Sequence, residues 1–248
     1  MNLSTERKVG DLRRGEGRKM APVLFGVEHI LYIVISTLLG SVILLGGWKL
    51  AKTEQAQARF LKGLALLLLA AIVTNRLSQV YRYGDIRWYC LIPDSICGMT
   101  SLVLALGVLL GKRDNPVLHF AWLPGLFGGI STVIYAAFVG QGPSIFYLPT
   151  ISGLLHHSLC AMMVVALFLF RQLRVTYKKW YCTLFGFTSY LTVGAFLMHT
   201  FQMSDAFHIA EPLLPGTPLT VWVMAPMYTA AYGIILLAFE LARKQQRQ

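Results

Sequence analysis

Two adjacent histidines and a cysteine, His156, His157 and Cys160, occur in the stretch GLLHHSLC, inside an apolar segment of membrane-spanning length. A second cysteine, Cys97, lies in another such segment. A thiolate nucleophile with an imidazole as general base is a recurrent arrangement for covalent catalysis. The residue types therefore permit acyl transfer through a thioester. A single histidine within a membrane is more often an interhelical hydrogen-bonding group, and a single cysteine is usually a small apolar filler.

Other polar residues interrupt the apolar segments at a similar depth. They are His29, Asn75, Arg76, Gln79, Asp94, Ser95 and His199. Asn75 and Gln79 are four residues apart, and Asp94 and Cys97 are three apart, so each pair shares one helix face. Because polar groups inside a bilayer usually face a protein interior or a water-filled cavity, we expect one pocket walled by spans one, two, three, five and six.

The elements that must position these residues are membrane helices. The chain has 248 residues, of which 56% are hydrophobic and only 13% charged, whereas soluble domains carry about a quarter charged residues. The apolar residues form blocks near the length needed to cross roughly 30 Å of hydrocarbon. We predict an all-α polytopic membrane protein, a bundle of seven transmembrane helices. The predicted spans are 27–48, 60–80, 89–111, 118–139, 149–170, 181–202 and 219–241.

The distribution of basic residues predicts the orientation in the cell membrane. Thirteen of them fall on one side of the predicted bundle: Lys49, Lys52, Arg59, Lys62, Lys112, Arg113, Arg171, Arg174, Lys178, Lys179, Arg243, Lys244 and Arg247. The opposite loops hold only Arg82 and Arg87. Because cytoplasmic loops are enriched in Lys and Arg, we expect the C-terminus to be cytoplasmic, and the polar pocket to open outward.

Three regions follow from this pattern. We expect a disordered basic tail over 1–24, a seven-helix domain over 25–242 and a short basic cytoplasmic tail over 243–248. In this orientation the N-terminal tail lies outside the cell, which is unusual for a segment with six basic residues. Two explanations remain open. Either Met20 is the true start, or one span is miscounted.

Four short motifs resemble the bacterial YwaF-like integral membrane proteins, which are related to the vertebrate transmembrane protein 164 acyltransferases. FGVEHILYI at 25–33 resembles the opening histidine motif of span one, and LIPDSIC at 91–97 resembles the LPLHLCD-type segment of span three. GLLHHSLC at 153–160 is similar to the histidine pair of span five, and GAFLMHTFQM at 194–203 occupies the position of the polar segment that ends span six.

This resemblance implies a seven-helix lipid acyltransferase that moves an acyl chain through a cysteine thioester. Carried over, Cys97 is the candidate nucleophile, His156 or His157 the base, and His29 a pocket residue. The partners would be the membrane and a phospholipid, or another lipid, as acyl donor and acceptor. The chain departs from the family pattern at Ser95, where a histidine is common, and at Gly98, where an aspartate often follows the cysteine.

Other functions remain open from the residues alone. A proton-coupled carrier or small-ligand receptor would also use an outward polar pocket, although no inverted repeat is evident. A haem protein would need axial histidines on facing helices, for which His29, His156, His157 and His199 are the candidates. The net charge of +11 lies in loops and does not indicate nucleic acid as a partner. The four cysteines match no zinc spacing, and we expect neither a metal nor a cofactor.

Overall fold

The computed structural model describes residues 24–80, 88–139 and 144–245. Almost all of the predicted N-terminal tail lies outside these residues, as do Arg82, Arg87 and the last three residues of the chain. Every regular element in the described part is helical, so the predicted all-α class is confirmed there.

Seven α-helices follow one another along the described residues. They are α1 (Val27–Leu50), α2 (Glu54–Val80), α3 (Ile96–Leu109), α4 (Pro116–Ile134), α5 (Leu148–Leu169), α6 (Tyr181–Phe201) and α7 (Val221–Gln245). Short 3-10 helices at Trp88–Leu91, Ala136–Phe138 and Tyr177–Lys179 precede α3, follow α4 and precede α6.

Six of these helices, all except α3, are long and apolar enough to cross a membrane. The chain is therefore a multi-pass membrane protein, but the prediction of seven full spans is not confirmed. Helix α3 has 14 residues, which corresponds to about 21 Å at 1.5 Å per residue, short of the roughly 30 Å hydrocarbon core.

The late start of α3 has a local cause. The predicted span begins at 89, but Pro93 cannot donate a backbone hydrogen bond and restricts the residue before it. Ser95 then caps the helix, because its Oγ accepts a hydrogen bond from the Gly98 N–H at 3.2 Å. The chain between Trp88 and Ser95 thus contains only the short 3-10 helix Trp88–Leu91 and no α-helix, and a cavity remains between it, α2 and α5.

The centre of the bundle is formed by α2, α4 and α5. Helix α5 packs along both of the others, and α3 fills the groove between α2 and α4. Small residues permit these close approaches. A Cβ atom added at Gly129 of α4 would lie 2.7 Å from the carbonyl oxygen of His157 on α5. Helix–helix contacts of this kind are typical of membrane proteins, where packing is not driven by water.

Helix α1 is mostly exposed, as expected for a helix in contact with lipid, and polar contacts attach its first half. The Glu28 carboxylate accepts hydrogen bonds from the Ser144 hydroxyl and the Ile145 N–H, both at 2.9 Å. One turn later, the Tyr32 and Ser158 hydroxyls lie 2.9 Å apart. Below these contacts, an apolar groove of about 400 Å³ separates α1 from α4 and α5.

An acidic residue organises the basic end of the bundle. Asp114 accepts hydrogen bonds from the Lys179 ammonium and the Arg174 backbone N–H, each at 2.8 Å, and its Oδ1 lies 2.8 Å from His119 Nε2. Partial burial opposes ionisation of this carboxyl, but the hydrogen bonds from Lys179, Arg174 and His119 hold its pKa below the usual range. Asp114 thereby joins the α3–α4 loop to the segment before α6.

Candidate functional site

The last turns of α2 carry the first group of site residues. Asn75 is buried, and its Nδ2 donates hydrogen bonds to the Pro149 carbonyl and the Ser152 hydroxyl, both at 3.1 Å. Its Oδ1 accepts a hydrogen bond from the guanidinium of Arg76 at 3.1 Å. Asn75 therefore attaches α2 to the first turn of α5 and orients Arg76 at the same time.

The segment before α3 supplies an opposite charge. The Asp94 carboxylate lies 3.2 Å from the Arg76 guanidinium, and the Asp94 side chain is 46% exposed whereas that of Arg76 is 16% exposed. The Asp94 carbonyl accepts a hydrogen bond from the Phe207 N–H at 2.7 Å, which ties the α6–α7 loop to the start of α3. Backbone that is not helical at membrane depth is tolerated where it is buried in protein or lines a cavity.

The histidine pair lies two turns into α5. His156 follows Leu148 by eight residues, about 12 Å along the helix axis. His156 and His157 are only 4% and 6% exposed, and their ring centroids are 4.0 Å apart. Among the described residues, neither ring nitrogen of His156 nor Nδ1 of His157 has a hydrogen-bond partner of acceptable geometry. Buried polar atoms without partners are costly in a folded protein.

These groups meet around one cavity of about 260 Å³. The described residues that line it are Asn75, Arg76, Gln79, Cys90, Asp94, Ser95, Val139, Gly153, His156 and His157. Seven of the predicted pocket or catalytic residues are thus brought together. Three lie on α2, two lie on α5, and Asp94 and Ser95 immediately precede α3. The cavity is smaller than the roughly 300–1,000 Å³ that enclose a drug-sized ligand, so it fits a polar head or an ester group and not a whole lipid.

The candidate nucleophile Cys97 is not among the described residues that line this cavity. Its sulfur packs against α4, where a Cβ atom added at Gly128 would lie 2.7 Å from it. Ser95, two residues earlier, does line the cavity. Cys160 is 1% exposed in the core and packs near Gly125 of α4, as expected for an apolar filler.

Two further predicted pocket residues also lie elsewhere. His29 is buried, but its Nε2 lies 2.8 Å from the Val133 carbonyl oxygen, so it attaches α1 to α4. His199 is exposed on α6. Neither is among the described lining residues, and α1 and α6 contribute no wall to the cavity in the described part of the chain. The prediction placed them there because they share its depth, but depth does not determine which way a helix faces.

No described group of three or more His, Cys, Asp or Glu side chains is arranged to hold a metal ion. The haem alternative requires two histidines on facing helices. Only His156 and His157 share the cavity within the described residues, and they are neighbours on one helix. The geometry therefore does not favour axial ligation of a haem.

Sequence reasoning missed two features. Cys90 lines the cavity. In the sequence it lies at the start of the span predicted over 89–111, where it resembles an ordinary boundary residue. Asp114 and His119 lie in the hydrogen-bonded cluster at the basic end of the bundle. In the sequence, the feature that could have indicated this cluster is Asp114, the single acidic residue within GKRDNP.

A family model described as the TMEM164 family matches residues 24–242. The chain has no significant match to a curated protein sequence. It likewise has no significant match to a solved structure.

Proposed function

This chain belongs to the TMEM164 family, and we propose that it is an integral membrane acyltransferase that transfers an acyl chain between lipids at the cavity formed by α2, α5 and the start of α3. The observation that carries the proposal is the pair of buried imidazoles, His156 and His157, on the wall of a polar cavity. A polar substrate group bound there would offset the cost of their missing hydrogen bonds.

In the proposed reaction, the Cys97 sulfur attacks the carbonyl carbon of a lipid ester. The S–C bond forms, the C–O bond to the glycerol breaks, and a histidine of the pair passes the thiol proton to the leaving oxygen. The hydroxyl or amine of a second lipid then attacks the thioester and releases the thiol. Cys97 is the second residue of α3, and the positive end of a helix favours negative charge at that position.

The reaction requires a movement of Cys97. Its sulfur must leave the contact with Gly128 and enter the cavity beside Ser95. Arg76, which also lines the cavity, would stabilise the negative charge that develops on the carbonyl oxygen. The proposed chemistry uses no metal and no cofactor.

A phospholipid, or another lipid, is the proposed donor and acceptor. The cavity volume of about 260 Å³ suits the polar part of such a lipid, and the acyl chains would stay in the surrounding hydrocarbon. We further propose the narrower YwaF-like relationship, location in the cell membrane and a cytoplasmic C-terminus. Residues 25–242 would form one membrane domain between a basic N-terminal tail and the short tail at 243–248.

The test is acyl exchange in phosphatidylcholine vesicles that contain purified protein and a lysolipid acceptor, followed by lipid mass spectrometry. We expect Cys97→Ala and Cys97→Ser to lose most of the exchange, because a serine hydroxyl is a far poorer nucleophile without strong activation. Cys160→Ala, on the same helix as the histidines but in the core, is the matched control and should retain it. Unchanged exchange in Cys97→Ala would refute the nucleophile assignment. If the wild type shows no exchange, a small-ligand receptor or carrier becomes the better account of the cavity.

A further inference from the structure

We infer that Cys90 is a second acyl-accepting thiol of the cavity, with a lipid ester as the acyl donor; this inference rests on the proposed acyl transfer. Cys90 lies in the short helix Trp88–Leu91, is half-buried, and lines the same cavity as His156 and His157. Cys97 and Cys160 are not among the described lining residues. The thiol that already shares a cavity with the imidazoles is therefore Cys90.

A single cysteine would not define a site, but the cavity holds a second, independent feature. His156 is 4% exposed, and neither of its ring nitrogens has a hydrogen-bond partner of acceptable geometry among the described residues. A neutral imidazole can accept a proton at one nitrogen and donate one at the other. His156 is therefore able to take a thiol proton and return it to a leaving group within the same cavity.

The backbone around Cys90 is held in place by its neighbours. The short helix packs against α2, and its end is closed by a hydrogen bond from the Ile92 N–H to the Tyr89 carbonyl at 3.1 Å. The Tyr89 ring stacks on Phe201 at the end of α6, with ring centroids 5.9 Å apart. A nucleophile on a fixed backbone loses less conformational entropy when it reaches the reacting geometry.

The chemical step balances without a further reagent. The Cys90 sulfur attacks the ester carbonyl carbon of the lipid, an S–C bond forms, and the tetrahedral oxyanion lies in the cavity that Arg76 also lines. The C–O bond to the glycerol then breaks, and the thiol proton reaches the leaving oxygen through His156 or His157. The products are a lysolipid and an acyl-Cys90 thioester, whose carbonyl group lies in the cavity while the acyl chain stays in the surrounding hydrocarbon.

The experiment maps acyl adducts by peptide mass spectrometry. Full-length protein is incubated with phosphatidylcholine vesicles that carry deuterium-labelled oleoyl chains, with and without hydroxylamine, which cleaves thioesters. We expect a labelled, hydroxylamine-sensitive adduct on the peptide with Cys90 in the wild type and in Cys97→Ala, and its loss in Cys90→Ala. His156→Gln with His157→Gln should slow its formation at least tenfold. Cys182→Ala, buried on α6, is the control for an unrelated cysteine.

Acyl exchange measured in the same samples separates this inference from the proposed function. Exchange with an adduct on Cys97 alone overturns the inference and leaves the function standing. An adduct on Cys90 without exchange supports the inference and overturns the function. A second readout needs no turnover: brief treatment with N-ethylmaleimide should label Cys90 before Cys160 and Cys182, which are 1% and 3% exposed. Equal or slower labelling of Cys90 would show that it does not face an accessible cavity, and would refute the inference.

Discussion

The guanidinium of Arg76 lies 3.2 Å from the carboxylate of Asp94, and this ion pair joins the end of α2 to the residues that precede α3. Both residues line the polar cavity, so the pair contributes one positive and one negative charge to its wall. Their side chains differ in exposure, since Asp94 is about half exposed and Arg76 is largely enclosed. The carboxylate is therefore the more accessible member of the pair.

A double-mutant cycle with Arg76→Ala and Asp94→Ala tests the strength of this pair. We expect a coupling of about 0.5–1 kcal/mol in the free energy of unfolding, since exposure of Asp94 weakens the interaction. Denaturant titration in detergent micelles, followed by far-UV circular dichroism, measures it. The matched control is the exposed pair Arg113 and Glu54, 3.1 Å apart at the other end, with an expected coupling near zero. Additive effects of Arg76→Ala and Asp94→Ala would contradict the expected coupling and show that the ion pair does not stabilise the fold.

Replacement of a helix-contact glycine tests the packing of α4 on α5. A Cβ atom in Gly129→Ala would meet the His157 carbonyl oxygen at 2.7 Å and Ala161 at 3.0 Å. Because backbone must shift to admit it, we expect a loss of about 1–3 kcal/mol in the free energy of unfolding. At Gly63 of α2 no described atom beyond the neighbouring helix backbone lies within 4 Å of an added Cβ, so Gly63→Ala should be neutral or stabilising by up to about 1 kcal/mol. Equal effects of the two variants would contradict the close contact.

Much of this architecture could be predicted from the sequence, and the limits have physical reasons. Hydropathy places α1, α5 and α6 within a few residues of their observed bounds, because a bilayer requires long apolar segments. The same argument extends α3 too far, since hydropathy does not register the restriction at Pro93 or the cap formed by Ser95. Hydropathy assigns the apolar residues that precede a helix to the helix itself, unless the capping residue is recognised.

The candidate site, too, could be predicted only in part from the sequence. The spacing and depth of Asn75, Arg76, Asp94, His156 and His157 predict one polar pocket, and the structure assembles these residues around one cavity. The same rule fails for His29 and His199, since each lies at a suitable depth on a helix that faces elsewhere. Helix rotation depends on packing against neighbours, which a single sequence does not display.

Acid titration tests the cluster at the basic end. The folded-state pKa of Asp114 lies below its ordinary value, so its stabilising contribution is complete above the ordinary carboxyl pKa of about 3.9 and is lost as the pH falls through the lower folded value. We therefore expect Asp114→Asn to lower the thermal midpoint at pH 7, and the difference from the wild type to shrink toward pH 3. Glu54→Gln, whose side chain is 86% exposed, should change the midpoint little at pH 7. A difference that grows on acidification would contradict this assignment.

Labelling of introduced cysteines tests the orientation. In protein without its native cysteines, Phe146→Cys, at the cavity end, should react with a membrane-impermeant maleimide added outside intact cells. Leu110→Cys, equally exposed but at the basic end, should react only after the membrane is permeabilised. The positive-inside rule is the reason for this expectation. The opposite pattern would place the cavity on the cytoplasmic side.

Replacement of the histidine pair tests whether the cavity is an acyl-transfer centre. Acyl exchange between phosphatidylcholine and a lysolipid is measured in vesicles for wild type, His156→Gln, His157→Gln and the double variant. The control is His199→Gln, on the exposed face of α6. Thermal midpoints of all variants identify any loss of folding. We expect the double variant to be folded and its exchange rate to fall by about 10²–10⁴-fold, the usual effect of losing a general base, while His199→Gln keeps the wild-type rate. Unchanged exchange in a folded double variant would show that the cavity is not an acyl-transfer centre.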